Sequence, residues 1–437
     1  MDYSLPTQPY YWYADDRGVG DYVLLAFATF GARTAALYDF YMSVFGLSLA
    51  LLLLAYRNDK LALLLVSIYL ITFFVCIPLW RLTNLVNMSA INISESRMFS
   101  LLAALPILHF VWLAFRGSES MSKMEWGAAF GQFAILAFLI HCRSTLKVEV
   151  VILAASLLVA AAWQLWRRAS GMRRRATLRR YIVAGMFPLI AAFAIVPAYQ
   201  RVVYNPAYFA EQGGRTFWHN VVIGFAHFKH FQDILVLDGS DKEAVRAVLR
   251  HAQKGEPSLD VDGLTSDALL ALSGNAAYDW GRHEEYARSL TLHMAKHHSA
   301  EFIHMVFVTK PALVLSYFSY LFDPNGFLEK YSHSWSHGRR VLQYFGYATV
   351  ALIMLAAAFR PSRQDLRVLA PVIIICGSMF AGLFAVPVIF YPMITTIAGS
   401  FFYACLTLFV FATVGLYWLY DKIRYRWFDP RMRRESS

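Results

Sequence analysis

The chain is short of charge. Only 16% of its 437 residues are Asp, Glu, Lys or Arg, while 58% are hydrophobic. A soluble domain carries about 25% charged residues, so an ordinary water-soluble globule is excluded. Cysteine is scarce too. Cys76, Cys142, Cys376 and Cys405 lie in or at the ends of apolar stretches, and their spacing fits neither a disulfide framework nor a thiol redox motif. They read as small core or lipid-facing residues. No P-loop, nucleophile elbow, GxGxxG, CxxC or kinase-like motif occurs anywhere. Met1 to Gly20 has no basic region ahead of an apolar stretch, so no secretory leader is expected and the first sufficiently long helix must insert itself. No internal repeat or low-complexity tract stands out.

Long apolar runs are what the chain does have. Nine reach spanning length, at about 36–56, 61–80, 97–115, 127–145, 149–166, 181–199, 341–359, 369–390 and 396–420. Residues 21–35 are apolar as well, but Gly31 and Arg33 interrupt them, which suits a helix lying at the interface. Aromatic residues are plentiful, as expected where rings sit at bilayer surfaces. The expected fold is an all-α, polytopic membrane helical bundle of about nine spans with a small helical extracytoplasmic insert. Its divisions are residues 1–35 (an extracytoplasmic N-terminal segment), 36–199 (six spans), 200–340 (the insert), 341–420 (three spans) and 421–437 (a basic cytoplasmic tail).

The net charge of +11 invites a nucleic-acid reading, which fails on distribution because the cations flank apolar runs. Counted over the short loops, where this signal acts, one alternate set with the C-terminal tail holds 20 Lys and Arg, against 6 in the opposite set. The positive-inside rule then places the C-terminus in the cytoplasm, and nine spans put the N-terminus and the insert outside.

Within the insert, SDKEAVRAVLRHAQKG reads as a helix with Ser240 and Glu243 as a capping-box pair and Gly255 as its stop. SDALLALSGN reads as a second short helix. GRHEEYARSLTLHMAKHH reads as a third, with Tyr286, Leu290 and Met294 on one face. Ser299 is expected to cap a further helix that ends at Pro311. The insert holds few apolar positions for a core of its own, so it is expected to be held against the membrane by FIHMVFV and LVLSYFSYLF.

Four constellations carry possible chemistry. Residues 204–230 gather Arg215, Trp218, His219 and Asn220 beside the sixth span, and a phosphate or sugar headgroup needs such donors; the plain alternative is a juxtamembrane turn with aromatic anchors. The N-terminal acids Asp15, Asp16 and Asp21 offer a general base for a hydroxyl, or an ordinary solvated turn. Lys310, before Pro311, is a lone cation that either pairs with a lipid phosphate or anchors the interface. His293, His297 and Glu301 share a helical spacing, but without HExxH or a Cys partner solvated histidines are the better reading, and no metal or other cofactor is expected. Asp39 sits at the start of the first span, where a carboxylate is costly unless it has a partner.

The arrangement resembles the GT-C superfamily of membrane glycosyltransferases. ESRMFSLLAALPILHF (95–110) looks like the span after the second outer loop in such proteins. EEYARSLTLHMAKHHSAEFIHMVFVTKP (284–311) is similar to a stretch of bacterial members, with Ser299 in place of the usual proline. GGRTFWHN (213–220) looks like a Trp-His turn. Family members carry a span before the loop that holds their catalytic aspartate, and this chain opens within that loop, like a member without the first span. The resemblance implies sugar transfer from a polyprenyl-phosphate donor, with Asp15 or Asp16 nearest the catalytic position, Arg215 and Lys310 stabilising the leaving phosphate, and Trp218 and His219 in the substrate site. The partners implied are membrane lipid and the lipid-linked sugar. A non-catalytic subunit or envelope-assembly factor is the alternative. A transporter is a third class, poorly supported because apart from Asp39 and possible kinks at Pro188 and Pro387 the spans are bare.

Overall fold

The computed structural model describes residues 18–83, 99–115, 121–143, 146–167, 185–203, 217–255, 280–319, 334–359, 363–389 and 397–428. Among these the only regular secondary structure is helical. Each of the nine apolar runs is a helix. Preceded by α1 (Gly18–Phe30), they are α2 (Ala35–Tyr56), α3 (Lys60–Thr83), α4 (Phe99–Phe115), α5 (Lys123–Cys142), α6 (Leu146–Arg167), α7 (Phe187–Val203), α14 (Ser334–Phe359), α15 (Arg363–Ile389) and α16 (Ile397–Phe428). The insert supplies α8 (Trp218–Phe225), α9 (Lys229–Leu235), α10 (Asp241–Gln253), α11 (Trp280–His297), α12 (Ser299–His304) and α13 (Lys310–Ser319).

Four helices are long and apolar enough to cross a bilayer, at Ala35–Tyr56, Lys123–Cys142, Leu369–Val386 and Gly399–Leu419. Apolar stretches of α3, α4, α7 and α14 fall short of that length among the described residues. Pro106 lies inside α4 and Pro197 inside α7, and α7 ends on a polar turn with Arg201. Among the described residues the chain is thus all-helical, with four helices able to span a membrane by length and composition.

The helices fall into two compact units. In the larger, α1 packs on α2 and α5, α2 on α5, and α3 on α14 and α16. Residues 21–35, expected as an interfacial helix, do form one at α1, but it is packed into this unit. Tyr22 is wholly buried; its hydroxyl donates to the Leu37 carbonyl at 2.6 Å, and its ring meets Phe40 and Phe99 edge-on at 5.1 Å. Gly31, at φ 85°, lets the chain turn where a side chain would strain it. Arg33 then pairs with Asp39 at 2.9 Å, which supplies the partner that Asp39 needs at the start of α2. Between α2 and α5, Ser48 donates to Gln132 Oε1 and Gln132 Nε2 donates back to the Ser48 carbonyl, each at 2.7 Å. Reciprocal bonds of this kind hold helices together where lipid offers no hydrophobic driving force.

The smaller unit includes residues 200–319 of the insert, and it has a core of its own. Val222, Phe225, Phe231, Val248, Leu290 and Met294 are buried together with Met305. The expectation that the insert lacks one is overturned. The apolar residues are spread over short elements (α8, α9, α10 and α11), so no single run looks core-forming, yet each contributes one face. Leu290 and Met294 are buried as the periodicity predicts, with Tyr286 packed beside them. Ser240 caps α10 by accepting from the Glu243 N–H at 3.3 Å, but the Glu243 carboxylate turns to Arg246, so the capping box is half made. SDALLALSGN lies outside the described residues.

The helix expected to end at Pro311 does not. His298, not Ser299, takes the cap position of α12, and a wide π-helical turn, Met305–Thr309, leads into α13. Proline has no N–H to continue an α-helical ladder. The wide turn absorbs this, with the Lys310 N–H reaching back to the Met305 carbonyl, so the chain passes Pro311 without stopping.

Candidate functional site

Of the residues singled out in the sequence, Asp15, Asp16 and Arg215 lie outside the described residues. Trp218, His219 and Lys310 are placed, all in the smaller unit.

Trp218 and His219 form the first turn of α8, where backbone N–H groups have no partner within the helix. Glu284, on α11, supplies one. Its Oε2 accepts from the Trp218 N–H at 2.7 Å and its Oε1 from the His219 N–H at 3.0 Å. A carboxylate here meets both the orphan donors and the positive end of the helix dipole. The His219 ring, itself buried, places Nδ1 at 3.0 Å from Nε2 of His283, which is wholly buried. Burial, and secondarily His219, holds His283 well below the usual imidazole range, so this ring is neutral at physiological pH. The Trp-His pair expected to face a headgroup is thus built into the junction between α8 and α11.

Lys310 is among the largest side chains in the protein with no solvent exposure. Burial alone pulls its amine down to about 7, so charged and neutral forms coexist at physiological pH. His227, in the turn after α8, is held down to about 4, by burial first and then by the Lys310 charge. Lys310 therefore lies close enough to His227 to bias its protonation. An amine that changes charge near neutrality can bind an anion, move a proton or act as a nucleophile.

The larger unit holds Asp21, the one N-terminal acid among the described residues, together with polar groups that the sequence reading missed. Asp21 Oδ2 sits 2.7 Å from His141 Nε2, joining the first turn of α1 to the last turn of α5. The backbone comes as close there, since a Cβ added to Gly18 would lie 2.1 Å from the His141 carbonyl oxygen. Glu149, in the first turn of α6, is buried beside Gly399 and Ser100. His109, buried in α4, lies 2.8 Å from the Tyr56 hydroxyl. One signal was available for all of these: a titratable residue inside or at the rim of an apolar run is uncommon and calls for a partner.

Near the α11–α12 junction, His230, His298 and Glu301 bring their donor atoms within 4.8 Å of one another. His293 and His297, the pair suggested by helical spacing, stack on each other at 4.1 Å, and the His297 ring faces the His293 carbonyl, while Glu301 is grouped with the other two histidines.

No protein-family model matches the chain, and neither a curated protein nor a solved structure is significantly similar to it.

Proposed function

We propose that the protein is a transferase acting at the outer face of a bacterial inner membrane, taking a sugar from a polyprenyl-phosphate carrier, with Lys310 meeting the carrier's phosphate. The observation that carries this reading is the dry amine of Lys310, near neutrality in a helix of the insert. Burying a cation costs stability, and such a cost is characteristic of functional positions. A phosphate arriving beside the amine raises its pKa, so donor binding takes up a proton. The resulting charge is then in place when the leaving phosphate develops its own.

The cation bias between alternate loops supports the orientation, with the insert outside and the C-terminus in the cytoplasm. The amine is closed to solvent, so the reading requires the chain around Met305–Thr309 to open as the donor arrives. From the family resemblance, Asp15 or Asp16 is the base that activates the acceptor hydroxyl, and Arg215 shares the phosphate with Lys310.

A second reading, a non-catalytic envelope-assembly protein, is favoured by one observation. His219 is consumed by the fold, its N–H by Glu284 and its buried ring by His283, and Trp218 gives its backbone N–H to the same carboxylate.

The test is binding of a short polyprenyl phosphate to the full-length protein in nanodiscs at about pH 8, above the Lys310 pKa. The transferase reading expects uptake of roughly one proton per site and at least about tenfold weaker binding to Lys310→Met. Equal affinity for polyprenyl phosphate and the uncharged polyprenol would sink it. Carrier binding with no transfer from any lipid-linked sugar would move the assignment to the second reading.

A further inference from the structure

The group near the α11–α12 junction invites an assignment that does not rest on the transferase reading. We infer that His230, His298 and Glu301 form a binding site for one divalent transition cation of the zinc class.

The geometry comes first. His230 Nε2 and His298 Nδ1 lie 3.1 Å apart, although the two residues are 68 positions apart in the chain. A zinc ion holds imidazole nitrogens at about 2.0–2.1 Å in a tetrahedron, whose edges are then roughly 3.3–3.4 Å. The observed separation is one such edge to within a few tenths of an ångström. A carboxylate oxygen of Glu301 lies within 4.8 Å of both nitrogens, so a small side-chain rotation completes a three-ligand face.

The fold supplies the second observation. His298 occupies the cap position of α12, at φ −129° and ψ 48°, and its side chain makes no capping bond. The break between α11 and α12 thus leaves this ring to meet α9, and Glu301, three residues on, lies in the first turn of the new helix. The two rings cross edge-to-face at 5.0 Å, and buried Phe231 meets His230 at 5.4 Å and His298 at 6.1 Å, fixing both from the core side. Ligand rings held by packing lose little entropy when an ion arrives.

The donor set selects the ion. Two imidazoles and one carboxylate suit zinc, cobalt, nickel or copper, whereas calcium and magnesium want oxygen ligands throughout. All three residues are half-buried, so the fourth tetrahedral position opens to solvent and takes water or an anion. The ion would clip α9 to the start of α12. The competing account is a bare imidazole–imidazole hydrogen bond, which the following test separates.

Full-length protein, purified through a tag without histidine and stripped with chelator, is titrated with Zn2+ alone against a chromophoric competitor. One ion per chain is expected, with a Kd below about 10 µM. His230→Ala, His298→Ala and Glu301→Gln should each weaken binding at least about tenfold, while the double variant His293→Ala/His297→Ala should not. A stoichiometry of zero, or retention of the ion in His230→Ala/His298→Ala, overturns the site. To keep the result independent of whether the variants fold, histidine acylation of the unaltered chain is mapped by mass spectrometry with and without Zn2+. Zn2+ should protect His230 and His298 and leave His293 and His297 reactive. The reverse pattern places the ion on the α11 pair and refutes the assignment.

Discussion

His219 and His283 meet Nδ1 to Nε2 at 3.0 Å in the interior of the insert. Only one of the two facing nitrogens can carry a proton in this bond, and a proton added to the other would break it. The folded-state pKa of His283 lies below its unfolded value, so acid favours the unfolded chain. Stability of the insert should be complete above the ordinary histidine pKa and fall as pH drops below about 6.5. Thermal unfolding of the detergent-solubilised protein between neutral pH and about pH 5 checks this. In His283→Gln the fall should be shallower and stability at neutral pH lower by about 1–3 kcal/mol.

Glu284 holds the start of α8 through the two N–H bonds to Trp218 and His219. Glu284→Ala should cost about 1–2 kcal/mol, the range for losing a good helix cap. Hydrogen exchange at the Trp218 and His219 amides should quicken well ahead of exchange in α10. Unchanged protection at those two amides would show that the cap contributes nothing.

Lys310→Met should abolish the pH-dependent cost of burying a charge at this position. The sign in pH follows from its lowered pKa. Below about 7 the folded state carries the full cost of a buried charge; the cost fades as pH rises toward the unfolded value near 10.5. Wild-type stability should therefore rise with pH across that window at this position, and the variant should lose that component. Denaturation midpoints at matched pH values read both effects.

The insert's core argues for a fragment that folds. Residues 198–319, expressed alone in solubilising detergent, should melt cooperatively, since Phe225, Phe231, Val248 and Leu290 are buried within this unit. A broad, non-cooperative loss of helicity would show that the unit depends on the rest of the chain.

Reporter fusions at residues 172, 260 and 430 should report cytoplasm, outside and cytoplasm, in line with the loop charges. A cytoplasmic signal at 260 would remove the outer-face reading together with its lipid-linked donor.

The sequence by itself determined the class of protein and the helices. Apolar runs with few charges can only satisfy their backbone groups as helices in lipid, and all nine coincide with helices, although α14 and α15 begin and α16 ends more than a turn beyond their runs. Local signals worked wherever their physics is local, as with Ser240 capping α10 and Leu290 and Met294 facing the core. What spacing could not decide was which distant side chains share a few ångströms. Helical period grouped His293 and His297 with Glu301, whereas the break at His298 and the packing of α9 group Glu301 with His230. Lys310 read as an interface anchor or a phosphate contact, and only the folded insert shows it dry. His219 read as a headgroup ligand until α11 brought Glu284 and His283 to it. The physical reason is the same in each case. Secondary structure follows from neighbours along the chain, while burial, protonation and ligand geometry depend on residues far apart in sequence, whose meeting no local period encodes.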